Sequence, residues 1–148
     1  MKARDIMSTN LVTISPEATI ENAARLMADE NISGIPVINN EGEMVGMISE
    51  GDLLGKHKQI SPPAYIEFLG GIFFTESQDK YFEDIKRHVA THVKDLMTEK
   101  VISINPDTPL EEIATIMFEN KIKRLPVLED GELVGIVSRA DVVKAAMQ

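Results

Sequence analysis

The stretch GMISEGD, Gly46 to Asp52, returns near the end of the chain as GIVSRAD, Gly135 to Asp141. Glycine, serine and aspartate recur at the same spacing, while Glu50 becomes Arg139. The recurrence extends outward. Residues 4–39 superpose on 94–129, and 42–54 on 131–143 after a one-residue deletion. Sixteen positions are identical between the copies, among them Asp5, Met7, Ile14, Pro16, Met27, Pro36, Val37, Gly46, Ser49 and Asp52. Self-similarity of this kind marks a duplicated structural unit. Two copies are too few for a solenoid. They predict a pair packed face to face about a pseudo-twofold axis.

Each copy carries the same pattern. LVTIS (11–15) and VISIN (101–105) are short β-branched runs that predict a strand. A helix follows, with apolar residues Ile20, Ala23, Ala24 and Met27 in one copy and Leu110, Ile113, Ala114 and Met117 in the other, at helical spacing. Thr108 is placed to cap the second copy's helix, with Pro109 in its first turn and Glu111 completing a capping box. GIPVI and RLPVL predict second strands, NNEGE and EDGE hairpin turns, and MVGMIS and LVGIVS third strands. A last helix opens at Asp52 and at Asp141. The unit is β-α-β-β-α, in an α/β fold.

Length and composition set outer limits. A chain of 148 residues, 43% hydrophobic, has enough apolar surface for one domain or for two small units sharing one core. Its net charge of −9 argues against a nucleic-acid partner, which favours a clustered basic face. The chain has no cysteine, which excludes disulfides and thiolate metal sites. No apolar run reaches membrane-spanning length, and MKARDIMSTN lacks the apolar region of a leader, so a soluble cytoplasmic protein is expected.

The boundaries expected are 1–54 for the first repeat, 55–92 for an insert without a repeat partner, and 93–148 for the second repeat. The insert holds six aromatics: Tyr65, Phe68, Phe73, Phe74, Tyr81 and Phe82. It is expected to be mainly helical. Thr75 and Gln78 can cap a helix reaching about Val93, with Tyr81, Phe82, Ile85 and Val89 on one face. The insert is either a connector packed on the main core or an oligomer contact, since aromatics favour interfaces. Asp84, His88 and His92 fall at i, i+4 and i+8 of this helix. A His-x-x-x-His pair can bind zinc, but no further ligand cluster points at it, and no metal is assigned.

The signature itself has two physical readings. Ser49 with Asp52, and Ser138 with Asp141, are spaced as capping boxes at strand-to-helix junctions. The same corner also suits a ligand. Free N–H groups and the helix dipole favour phosphate. The aspartate, an acceptor, suits ligand hydroxyls such as those of a ribose. Gly46 and Gly135 either leave room for a flat ring against the strand or permit close packing. Ring, diol and phosphate together describe a nucleotide.

With DIM and DLM, GIPV and RLPV, and the two G-h-h-S-x-x-D signatures in place, the chain resembles tandem CBS domains, the pair called a Bateman module. The resemblance covers about two thirds of the chain. It implies a regulatory module rather than an enzyme, with adenosine nucleotides (AMP, ADP or ATP) as regulatory ligands in two clefts between the repeats. S-adenosylmethionine-type ligands, or no ligand at all, are the alternatives. It implies no catalytic cofactor, a homodimer, and a regulated partner that the sequence does not name.

Carried over, the first cleft combines Ser49 and Asp52 with Thr98, Lys100, Ile122, Lys123 and Arg124. The second combines Ser138 and Asp141 with Ser8, Asn10, Ile32, Ser33 and Gly34, and Arg139 is its nearby cation. Lys123 and Arg124 face Ser33 and Gly34 at matching positions. The first cleft is therefore expected to take the more phosphorylated ligand. The alternative for Lys123 and Arg124 is a solvated helix end favoured by the dipole.

Overall fold

A computed structural model describes residues 1–148. The first copy forms α1 (Ala3–Ile6), α2 (Ile20–Glu30), β1 (Gly34–Ile38), β2 (Met44–Ser49) and α3 (Glu50–His57). The insert forms β3 (Tyr65–Phe68), β4 (Gly71–Phe74) and α4 (Asp79–Val89). The second copy forms α5 (Val93–Leu96), α6 (Leu110–Asn120), β5 (Arg124–Glu129), β6 (Glu132–Ser138) and α7 (Arg139–Ala146).

Each repeat is built on an antiparallel hairpin. β1 pairs with β2, Gly34 opposite Ser49, and β5 pairs with β6, Arg124 opposite Ser138. Both hairpins carry an irregularity at the same place, Val37/Ile38 and Val127/Leu128. The second turn is the tight one. Asp130 and Gly131 both have positive φ, 51° and 82°, which matches the right-handed twist of paired strands. The first turn is one residue longer and closes on Gly42 at φ 81°.

The strand expected at LVTIS and VISIN shrinks to one residue in each copy. Ile14 bridges Val37 and Ile104 bridges Val127, both parallel. Ile14 donates its N–H to the Pro36 carbonyl and accepts from Ile38; Ile104 does the same with Pro126 and Leu128. In a parallel ladder the next donors on either side are residues 16 and 36, and 106 and 126. All four are proline, which has no N–H to give. The ladder stops after one rung because both neighbouring rungs lack a donor.

Other local expectations shift. α6 is capped by Pro109, which offers no side-chain bond, while Thr108 Oγ1 accepts from Asn105 N–H, 3.1 Å away. The side-chain cap occurs in the first copy, where Thr19 accepts from Asn22 N–H at 3.2 Å. The last helices open at Glu50 and Arg139, two residues before the aspartates. Ala24 and Ala114 are exposed, so the buried stripes are Ile20, Ala23 and Met27, with Ile113 and Met117 opposite.

The insert is not mainly helical. Its aromatics build the β3–β4 hairpin, closed by Leu69 and Gly70 at positive φ, and nearly all of it is exposed. The sequence shows no period-two alternation there because the hairpin buries neither face. α4 ends at Val89, before Val93, and turns Tyr81, Asp84 and Ile85 inward while Phe82 and Val89 face out. Asp84 is buried 2.8 Å from Lys58 Nζ, and Lys56 Nζ bonds the His88 and Ala90 carbonyls at 2.7 Å, closing the helix end. His92 lies beyond α4, where it precedes α5 and pairs with Thr91 Oγ1, so the three-residue line ending at His92 does not exist.

There are two cores rather than one shared core, and each borrows from the other copy. Val93 and Leu96 of the second copy, with Ala90 of the insert, pack with Ile20, Met27, Ile35, Val37 and Ile48 of the first repeat. Ala3, Ile6 and Met7 pack with Ile113, Met117, Leu125, Val127 and Val137 of the second. Hydrogen bonds follow the exchange. Ala3 and Arg4 donate to Thr108 and Pro106, while Val93 and Lys94 donate to Ala18 and Pro16. Ion pairs repeat it: Arg4 with Asp107 at 2.8 Å, Lys94 with Glu17 at 3.0 Å. Burying Val93 and Leu96 contributes about 1.5–3 kcal/mol each, so the crossover is a structural tie rather than a dangling arm.

Candidate functional site

The serine of each signature is the last strand residue and the cap of the following helix. Asp52 N–H donates to Ser49 Oγ (3.4 Å), and Ser49 N–H donates to Asp52 Oδ2 (2.8 Å). The second corner matches: Asp141 N–H to Ser138 Oγ at 3.2 Å, Ser138 N–H to Asp141 Oδ2 at 2.8 Å. The capping box is therefore real in both copies. It uses one carboxylate oxygen. The other, Oδ1 of Asp52 and of Asp141, receives no donor from the protein. The capping box therefore leaves one oxygen of each carboxylate uncommitted.

The glycines resolve differently. A Cβ on Gly46 would lie 2.8 Å from both Met97 Sδ and the Thr98 carbonyl oxygen. Gly135 stands likewise against Met7. Gly46 and Gly135 make room for the crossing methionine of the other copy, not for a ring. Next to them, Met47 and Thr98 exchange backbone bonds at 2.9 Å, and Ser8 and Ile136 do so at 2.8 and 3.0 Å. These bridges carry Thr98 and Ser8 to the signature of the opposite repeat.

Two clefts result. The first, about 340 Å³, is lined by Ser49, Asp52, Thr98, Lys100, Ile122, Lys123 and Arg124, all seven residues expected from the sequence. Met47, Glu50, Gly51, Val101, Ile102 and Lys121 line it as well. The second, about 330 Å³, gathers Ser138, Asp141, Ser8, Asn10, Ile32, Ser33 and Gly34, again all seven. Leu11, Val12, Asn31, Ile136 and Arg124 complete it. Both volumes lie in the range of small-molecule sites. Arg139 lines neither cleft and sits in the groove between α6 and α7.

Some of the added residues had a signal in the sequence. Asn31 and Lys121 close α2 and α6 in the left-handed region, φ 53° and 54°, immediately before the expected Ile32 and Ile122. Val101 and Ile102 reach the cleft because the run holding them is not a strand. Arg124 in the second cleft had no local signal.

Charge is distributed unequally. Lys100, Lys121, Lys123 and Arg124 line the first cleft, and Arg124 is the one cation lining the second. Arg124 is half-buried. Its burial lowers the guanidinium pKa from the ordinary value, Glu50 and Asp52 oppose that shift, and Arg139 adds to it.

Comparison with known proteins agrees with this architecture. The chain is 35% identical to the uncharacterised Methanocaldococcus jannaschii protein MJ1426, across 98% of this chain and 90% of that one. It is 36% identical to the chloroplastic CBS domain-containing protein CBSX1 of Arabidopsis thaliana, across 94% of this chain and 60% of that one. A match to the inosine-5'-monophosphate dehydrogenase of M. jannaschii spans only 23% of that enzyme. The crystal structure of CBSX2 in complex with AMP superposes with a TM-score of 0.76 at 29% identity, covering 99% of this chain and 96% of that one. The CBS domain model matches residues 3–57 and again 93–148, the same two stretches that fold into hairpins with interlocked cores. By its doubled match and its doubled fold, the chain belongs to the CBS domain family.

Proposed function

We propose that the protein is a regulatory module that binds adenosine nucleotides in the two clefts between its repeats and passes occupancy on to a partner or to its own assembly. One observation carries this. Each cleft joins a carboxylate with an uncommitted oxygen to hydroxyl groups from the opposite repeat and to at least one cation, Lys100, Lys121, Lys123 and Arg124 in the first and Arg124 alone in the second, the complement of a sugar diol joined to phosphate. The relative seen with AMP, CBSX2, shares the fold across nearly the whole chain. In this reading Asp52 and Asp141 take the ribose hydroxyls, and the helix N-termini with Ser49 and Ser138 face the phosphate side. Three lysines make the first cleft the better host for a polyphosphate tail.

The module is not an enzyme in this reading. Its output is a change of state, which a ligand produces only by binding two states unequally. A second copy is the proposed assembly partner. Phe118, Val143 and Met147 are 86%, 61% and 80% exposed and form an apolar face around α6 and α7. Sedimentation of wild type against Phe118→Glu tests it: a dimer that becomes a monomer is expected, and an unchanged mass counts against it.

The deciding experiment is calorimetry with AMP, ATP and adenosine on wild type, Asp52→Asn and Asp141→Asn. Two binding events are expected, each lost in one variant, with ATP preferring the Asp52 cleft. Absence of binding by all three ligands, together with nothing adenosyl among small molecules released from the purified protein, would overturn the proposal.

A further inference from the structure

Arg124 and Gly34 are the first residues of β5 and β1, at equivalent positions of the two copies. Each lies opposite the serine of its own signature, Arg124 across from Ser138 and Gly34 across from Ser49. Symmetry would place a side chain from each at the interface between the repeats. There is room for one. The Arg124 side chain crosses to the other copy, where its Nη2 donates to Ser33 Oγ. A Cβ on Gly34 would lie 2.6 Å from Arg124 Nη1 and 2.7 Å from Cζ. Gly34 therefore leaves vacant the volume that the guanidinium fills.

This position belongs to both clefts. Arg124 is the one residue that lines the two of them. On one side it meets Ser33 and Gly34 of the second cleft; on the other it lies within the field of Glu50 and Asp52 of the first. The first cleft keeps Lys100, Lys121 and Lys123 when the guanidinium points away. The second cleft has no other cation in its lining.

We infer that Arg124 is a shared anion-binding side chain that serves one cleft at a time, so that a phosphate-bearing ligand in either cleft weakens phosphate binding in the other. The inference rests on the proposed nucleotide binding and adds its regulation. A guanidinium grips a phosphate best with one bidentate edge held at hydrogen-bond distance, and in this proposal the Arg124 side chain swings toward the occupied cleft and away from the other. The coupling is reciprocal, because each ligand must change the other's affinity by the same factor. Its size differs by ligand charge: AMP reports it, and adenosine, lacking phosphate, does not. The second cleft depends on Arg124 for its charge, so it is the more sensitive of the two.

The test is calorimetry with AMP and adenosine on wild type, Arg124→Ala and Gly34→Ala. Single-cleft affinities come from the Asp52→Asn and Asp141→Asn backgrounds. In wild type, filling one cleft with AMP is expected to weaken AMP in the other by about five- to tenfold, with no such effect for adenosine. Arg124→Ala should lose that coupling and weaken AMP in the Asp141 cleft by about tenfold or more, while adenosine is unaffected. Gly34→Ala keeps the charge but fills the vacated volume. The long flexible arginine must yield, so AMP should weaken in the Asp141 cleft alone. Coupling that survives Arg124→Ala, or equal losses of AMP and adenosine, would overturn the inference. If AMP binds nowhere, the proposed function fails instead. Inorganic pyrophosphate then becomes the probe, and the Arg124 Nε–H resonance is followed. A shift on titration supports the shared side chain, and an indifferent resonance sinks it.

Discussion

A methyl group on Gly135 would lie 2.8 Å from Met7 Cγ, and one on Gly51 would meet only Ser49 Oγ at 3.5 Å. Two glycines from matching signatures thus have opposite roles. Gly46→Ala or Gly135→Ala should cost about 1–3 kcal/mol, because the crossing methionine and the backbone behind it must move. Gly51→Ala should stabilise by about 0.5–1 kcal/mol, since the site is helical and the second copy already carries Ala140 there. Thermal melts check both, at about 2–4 °C per kcal/mol for a chain of this size. The aspartates were legible as caps, because a serine at a strand end with an acid three residues on is the spacing of a capping box. The purpose of Gly46 was not legible. Its neighbour Met97 is distant in sequence, and only the fold brings it there. Arg124 crossing the axis was hidden for the same reason, although an arginine aligned with a glycine across a repeat was a trace of it.

At the level of elements, proline decides more than β-propensity. LVTIS and VISIN have strand composition, yet Pro16, Pro36, Pro106 and Pro126 remove the donors on both sides of the single bridge. Pro16→Ala supplies an N–H facing the Ile38 carbonyl. Amide exchange should show that new N–H protected, with net stability little changed because the unfolded chain also gains freedom. An unprotected amide would mean the ladder ends for another cause. Thr19→Ala should lower stability by about 1 kcal/mol through loss of the α2 cap, measured by urea unfolding. The long helices were legible because one face is buried and the period shows, and the repeat hairpins because short apolar runs, buried on both faces along β1 and β5, flank turn residues. The β3–β4 hairpin was not, since both its faces are apolar and exposed.

Across the whole molecule, the repeats are held together by traded segments rather than by one flat interface. Removal of residues 1–8 deletes Ala3, Ile6 and Met7 from the second core and Ser8 from the Asp141 cleft. Calorimetric unfolding should show the second repeat melting first, with the first repeat less affected. Acid acts on the same tie. Arg4 holds the Asp107 carboxyl below the ordinary value of 3.8, so this pair's contribution is present above that value and is lost as pH falls through the folded one. Asp107→Asn should flatten the acid limb of the stability curve, and added salt should do the same to wild type because the pair is exposed. The pseudo-twofold pairing was legible from the duplication; the trade was not, because the copies align equally well whichever core their first residues join. That trade bears on biosynthesis. On the ribosome, the leading residues emerge long before the hairpin that shelters them, and the first hairpin waits for the segment around Val93. Neither half can finish folding early, so a nascent chain stalled after the first repeat should be an open, protease-sensitive and chaperone-accessible species.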